Sequence, residues 1–295
     1  MKLVFGGIAR NIAKTYSALY DFVDAIVTHS PDSRVVIYEN NSDDDTPQLL
    51  AFLGIRNPNI HIVSETVSDD ELIARGKTMT WDRKPCRIEA IAYARNRLLD
   101  IMRDDICDED RVVFFDCDMS KSPDVPALIK KAHEMPADVD GLFANGVAHD
   151  GRTYYDLYAL RAAGFNGPEF VGDQFWKTLP RLQITQMMPV YSAFGGLAIY
   201  RGICLRDNYY SAHPTSSFDS FYRRVLQRPP TAPTTHHEGC LLGMYLFGTD
   251  GLFYYNNSGY SYPIVCEHAT FNAAAAERGC GRFFIDPDLV FYSSH

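Results

Sequence analysis

Over the first 120 residues the apolar positions fall alternately into short unbroken runs and into longer stretches at helical spacing. Lys2 to Phe5 reads as a short strand. Gly6-Gly7 then opens a segment, roughly Asn11 to Thr28, in which Ile12, Tyr16, Leu19, Tyr20, Val23 and Ile26 recur at helical intervals. Val35 to Tyr38 is a second strand, and the polar run Glu39 to Pro47 supplies turn and N-cap residues for a helix reaching about Leu53. Ile60 to Val63 is a third strand. A long helix follows Pro85 with Ile88, Ile91, Ala94, Leu98 and Met102 on one face, and Val112 to Phe115 forms a fourth strand. Strands and helices in this alternation predict a parallel sheet of βαβ units, with ligands bound beyond the carboxyl ends of the strands.

Beyond residue 120 the spacing becomes irregular. A helix over Val125 to His133 and a strand over Gly141 to Asn145 are legible, Tyr191 to Tyr200 is the clearest later strand, and Arg228 to Thr235 is a proline-rich loop. No repeat or linker divides the chain, so residues 1–295 read as one α/β domain.

Composition narrows the function. With 46% hydrophobic and 22% charged residues, the chain can bury the core an enzyme needs. Its net charge is -9, and its longest basic runs are pairs such as Lys130-Lys131 and Arg223-Arg224, so no nucleic-acid partner is expected. No unbroken apolar stretch approaches the roughly 18 residues of a membrane helix, and no membrane segment is expected. Seven cysteines without a CxxC pair favour a reducing compartment. The expected location is therefore cytoplasmic; a Golgi-lumenal domain or a piece of a multidomain protein is the alternative.

The chemistry concentrates in RVVFFDCDMS, residues 111–120. Asp-x-Asp spacing alone says little, since 27 aspartates produce five such pairs and roughly two or three arise by chance. Asp43/Asp45, Asp108/Asp110, Asp138/Asp140 and Asp286/Asp288 sit in turn-like sequence, where Asp is ordinary. Asp116 and Asp118 instead follow an apolar strand. Two carboxylates at i and i+2 project to one side, and their repulsion calls for a cation such as Mg²⁺ or Mn²⁺.

Asp116-Cys117-Asp118 after such a strand resembles the DxD motif of nucleotide-sugar-dependent glycosyltransferases with the GT-A fold. Further blocks resemble one branch, the fungal capsule-associated α-1,3-mannosyltransferase (CAP59-like) family. They are VIYENN (36–41), YARNRL (93–98), FFDCD (114–118), YYDLYALR (154–161), FGGLAIYR (194–201) and Cys266-Glu267-His268. The resemblance implies a GT-A-type Rossmann-like single domain with a mixed, mostly parallel central sheet and helices on both faces. Residues 1–120 would form the nucleotide-sugar-binding half and 121–295 the acceptor-binding half.

It further implies a metal-dependent transfer of a hexose, mannose from GDP-mannose being favoured, to a hydroxyl of an oligosaccharide or glycan acceptor, with retention. A UDP-sugar donor (xylose, glucose or galactose) and a sugar nucleotidyltransferase are the alternatives. On this reading Asp116, Asp118 and His268 hold Mn²⁺ (or Mg²⁺), with Asp116 also able to reach the ribose. Gly7, Arg10, Glu39 and Asn40 line the base and ribose, Glu39 and Asn40 being equally readable as a turn with an N-cap. Arg95 interrupts the apolar stripe of its helix and is chosen over Arg87 and Arg97 as partner of the DxD or the diphosphate. Gly195 and Gly196 lie beside the donor sugar, with a bulge or tight sheet packing as the alternative. Glu238, Asp173 and Glu267 compete as general base.

Overall fold

The computed structural model describes residues 1–74, 87–148, 150–163, 182–226, 244–247, 253–256 and 265–294. The front half alternates as the spacing predicts: β1 (Leu3–Ala9), α1 (Tyr16–His29), β2 (Arg34–Asn40), α2 (Thr46–Ile55), β3 (Ile60–Glu65), α3 (Asp69–Ala74), α4 (Arg87–Met102) and β4 (Arg111–Asp116). Then follow β5 (Met119–Lys121), α5 (Val125–Glu134), β6 (Gly141–Val147), β7 (Met188–Val190), β8 (Leu197–Arg201), α6 (Ser216–Leu226), β9 (Met244–Phe247), β10 (Phe253–Asn256), α7 (Glu267–Glu277) and β11 (Phe283–Ser293).

The main sheet runs β3-β2-β1-β4-β8-β6-β11-β5, with β7 paired to β11. The β3-β2-β1-β4 block and the β6–β11 pair are parallel, whereas β8 runs antiparallel to both β4 and β6. The sheet is thus mixed, with most of its paired residues in parallel ladders, and β8 joins the two halves of the chain.

Helices cover both faces, and β4 shows how sequence assigns the faces. Val112 and Phe114 join the core under α4 and α7, while Val113, Phe115 and Cys117 join the core under α1 and α5. All five are at most 2% exposed. The same alternation puts Asp116 on the Phe114 face, toward α4. On α4 the inward stripe is Arg95, Leu98, Leu99 and Met102. Gly6 makes room for that helix, since a Cβ there would lie 2.6 Å from the Met102 sulfur.

Two expectations need correction. The stripe expected on α4 is rotated: Ile88 and Ile91 are half-buried, whereas Glu89 and Arg95 are buried. The expected strand Tyr191 to Tyr200 shrinks to Leu197–Arg201, because Gly195 and Gly196 turn the chain with φ of 64° and 82°. No helix among the described residues is long and apolar enough to cross a membrane.

Candidate active site

The carboxyl end of β4 meets α4, the Gly195-Gly196 turn and the first residues of α7. Arg95 organises this junction. Its Nη2 donates to Asp116 Oδ1 at 3.0 Å and its Nε to Glu267 Oε1 at 3.3 Å. Its guanidinium carbon lies 4.6 Å from the centre of the Phe194 ring and 5.8 Å from that of Tyr210. Burial works against the Arg95 charge, but Asp116 and Glu267 outweigh it, and its pKa is raised.

Two glycines tie the neighbouring loop to the carboxylates. Asp116 N donates to Gly196 O at 2.8 Å, and Gly195 N donates to Asp156 Oδ2 at 2.9 Å. A Cβ on Gly195 would lie 2.2 Å from the Ala144 carbonyl, and one on Gly196 would lie 2.2 Å from the Phe291 ring. Close approach, in addition to the left-handed backbone, therefore demands glycine at both positions. Asp156 also accepts from Ala159 N at 3.3 Å.

Four carboxylates thus share this corner, and their electrostatics are unbalanced. Asp116 is pushed up to about 7 by burial and by Asp118 and Asp156, against the pull of Arg95. Asp156 is raised chiefly by burial, with Glu267 adding to it and the Gly195 and Ala159 N–H groups opposing it.

His268 stacks on Phe194 at 4.0 Å between ring centres and meets Tyr210 edge-on at 5.4 Å. Burial, then the Arg95 charge, lowers its pKa well below the usual imidazole value. It is therefore the neutral form, which binds metals. Among the described residues neither of its buried ring nitrogens has a hydrogen-bond partner, a costly state that a metal bond would relieve. Carboxylate oxygens plus one neutral nitrogen fit a hard-to-borderline divalent ion. Asp116, Asp118 and His268 are not drawn into one coordination shell, however. Arg95 bridges Asp116 to Glu267, whose Oε1 lies 3.6 Å from His268 Nε2.

The remaining candidates are spread around this centre. Gly7 lies inside β1, where a Cβ would meet the Phe115 ring at 2.5 Å and the Cys117 sulfur at 2.8 Å. It makes room directly behind the Asp-Cys-Asp segment. Arg10 is exposed at the end of β1. Glu39 is buried, accepting from Ser42 N at 2.9 Å and from the Ser64 hydroxyl. Asn40, also buried, ends β2. Asp173 and Glu238 lie outside the described residues, as does the proline-rich segment.

The sequence did not announce Phe194 and Tyr210 as partners of Arg95, nor Asp156 as the acceptor that holds the glycine turn. Asp156 precedes FGG by some 40 positions and Tyr210 follows Arg95 by 115, so no local spacing announces either contact.

A mixed, mostly parallel sheet with the acidic β4 end beside a glycine turn is the arrangement expected from the resemblance to GT-A glycosyltransferases, and comparison with known proteins identifies the branch. The chain belongs to the family described as Cryptococcal mannosyltransferase 1, whose model matches residues 9–227. That span holds Asp116, Asp118, Gly195 and Gly196, and it ends before Glu238 and His268.

Solved structures similar to this chain include the mannosyltransferase PcManGT from Pyrobaculum calidifontis in complex with GDP-Man and Mn²⁺. It is 12% identical with a TM-score of 0.47, over 98% of this chain and 56% of that one. S. aureus TarS 1-349 in complex with UDP is 15% identical with a TM-score of 0.44, over 100% and 60%. Glucosyl-3-phosphoglycerate synthase from Mycobacterium tuberculosis, with Mn²⁺, UDP and glucosyl-3-phosphoglycerate, is 14% identical with a TM-score of 0.42, over 90% of each chain. The chain spans a little over half the length of the first two. No curated protein matches it.

Proposed function

We propose that this chain is a metal-dependent hexosyltransferase that moves mannose from GDP-mannose to a hydroxyl of a glycan acceptor, with retention at the anomeric carbon. The observation that carries the reading is the family match, which spans the β4 end where Arg95 donates to Asp116. Asp116, Asp118 and His268 would hold Mn²⁺ or Mg²⁺, which, when bound, offsets charge developing on the diphosphate leaving group.

The chain's own residues supply the rest. Arg95 keeps the acidic corner from repelling itself apart and fixes Asp116. The Gly195-Gly196 turn, held by Asp156, would lie beside the donor sugar. Gly7, Arg10, Glu39 and Asn40 form the nucleoside side. Glu267 is bound by Arg95, which disfavours it as a base, so Glu238 and Asp173 are the stronger candidates should the reaction invert. We assign the chain, as a single domain, to the cytoplasm.

Calorimetric titration with GDP and UDP, each with and without Mn²⁺, tests this reading. Mn²⁺-dependent binding of GDP over UDP is the expected result. A preference for UDP moves the donor to a UDP-sugar, and failure of both nucleotides to bind refutes the function. Release of pyrophosphate from a nucleoside triphosphate and a sugar phosphate would instead mark a nucleotidyltransferase.

A further inference from the structure

At the opposite end of the sheet, Cys204 and Cys280 meet although they are 76 positions apart. Cys204 lies in the 3-10 turn Gly202–Leu205 that follows β8, and Cys280 lies between α7 and β11. Their sulfurs and a carboxylate oxygen of Asp140 all lie within 4.8 Å of one another, and the Cys204 thiol donates to the Asp140 backbone carbonyl at 3.4 Å. We propose that Cys204 and Cys280 are a redox pair that closes to a disulfide on two-electron oxidation by a peroxide.

The two thiols differ in a way that suits this chemistry. Cys204 is fully buried, whereas Cys280 keeps 7% of its surface exposed. The Cys204 thiol beside it, with smaller contributions from Arg201 and Arg278, lowers Cys280 to about 7 against the opposing effects of burial and Asp140, while Cys204 is raised by its thiol neighbour and by burial. Gly279, at φ 90°, and Gly281 flank Cys280 and give its backbone the freedom to move toward Cys204. In the reaction, the Cys280 thiol gives up its proton, its thiolate attacks the peroxide O–O bond to form a sulfenic acid, and the departing hydroxide takes up that proton and leaves as one water. The Cys204 sulfur then attacks the Cys280 sulfur, its proton leaves with the second water, and the S–S bond forms. Two thiols lose two electrons and two protons, and hydrogen peroxide becomes two waters.

The same cluster is a poorer metal site. Asp140 Oδ1 already accepts from Arg201 Nη1 at 3.1 Å and Oδ2 from Arg282 N at 3.0 Å, so a cation would have to share the carboxylate with a guanidinium. Mn²⁺ and Mg²⁺ are also ill-matched to two thiolates.

The test uses the full wild-type chain, purified with reductant, freed of it and treated with one equivalent of hydrogen peroxide, followed by alkylation and peptide mass mapping. Expected are the loss of two hydrogen masses, a peptide linking Cys204 to Cys280 that reductant cleaves, and a melting temperature raised by several degrees. Cys204→Ser and Cys280→Ser should each abolish that linked peptide, and the wild-type map decides the matter should either variant fail to fold. Absence of the link, a different pairing, or a stoichiometric metal in the untreated protein that both variants lose would overturn the proposal.

Discussion

The two ends of the main sheet both carry buried acids, and they are built on different terms. Where β1, β4 and β6 begin, Asp110 accepts from the backbone N–H groups of Lys2 and Cys107 at 2.6 and 2.9 Å. Asp140 there is held by Arg201 and by Arg282 N. At the other end, among the described residues, Asp116 and Glu267 share the buried Arg95 guanidinium with Asp118 and Asp156 nearby, Asp116 and Asp156 are raised, and neither ring nitrogen of the neighbouring His268 has a hydrogen-bond partner. Carboxylates answered one by one hold a fold together. A cluster left with surplus negative charge is prepared for something positive to arrive.

The comparison breaks most severely at Arg95. Arg95→Ala leaves Asp116 and Glu267 facing each other without a cation, and the expected loss is about 3–5 kcal/mol in chemical denaturation, with no donor binding. A loss below about 1 kcal/mol would show that the acidic corner does not depend on it. Next comes Gly196→Ala, where the left-handed backbone and the collision with Phe291 should cost roughly 1–3 kcal/mol and displace the carbonyl that holds Asp116 N.

Per pH unit, the effect of pH on metal-free protein is smaller again. Asp116 titrates near 7 when folded and near 3.8 when unfolded. The folded chain therefore retains a proton that the unfolded chain has released. This contribution to stability is fully present below the unfolded value and is lost as pH rises to 7, with a slope of at most about 1.4 kcal/mol per pH unit. Melting curves across that window should show the decline, and Asp116→Asn should flatten it. Metal affinity should move the opposite way, strengthening as the carboxylate ionises. The smallest effect belongs to Arg206→Ala, which removes an exposed ion pair to Asp108 and should shift stability by less than about 0.5 kcal/mol.

How much of this was legible depended on whether the signal was local. The parallel block β3-β2-β1-β4 was, because each strand is an unbroken apolar run and each helix between them has a periodic face. Period-2 alternation along Val112 to Asp116 was enough to send Asp116 toward the helix that carries Arg95, and that pairing was expected from the interruption of the helical stripe. The back half hid itself. Strand β11 contains Pro287 and shifts register between Asp286 and Val290, so no clean run marks it. Helix α7, with residues Thr270, Phe271, Asn272, Ala273 and Ala275 all buried, is covered on every side and shows no amphipathic period. The strand expected from Tyr191 begins only at Leu197 because the glycines that look like sheet packing make a turn. Within the candidate site, the Arg95 cradle of Phe194 and Tyr210 depends on tertiary contacts that no spacing encodes.

The central claim is that the β4 end, and not the Asp140 end, binds a divalent cation with a nucleoside diphosphate. Anomalous diffraction from crystals soaked with Mn²⁺ and GDP tests it most directly. The account predicts one manganese peak contacted by Asp118 together with Asp116 or His268, absent in Asp118→Ala crystals treated alike. A peak at Asp140, Cys204 and Cys280, or manganese density that survives Asp118→Ala, would contradict it.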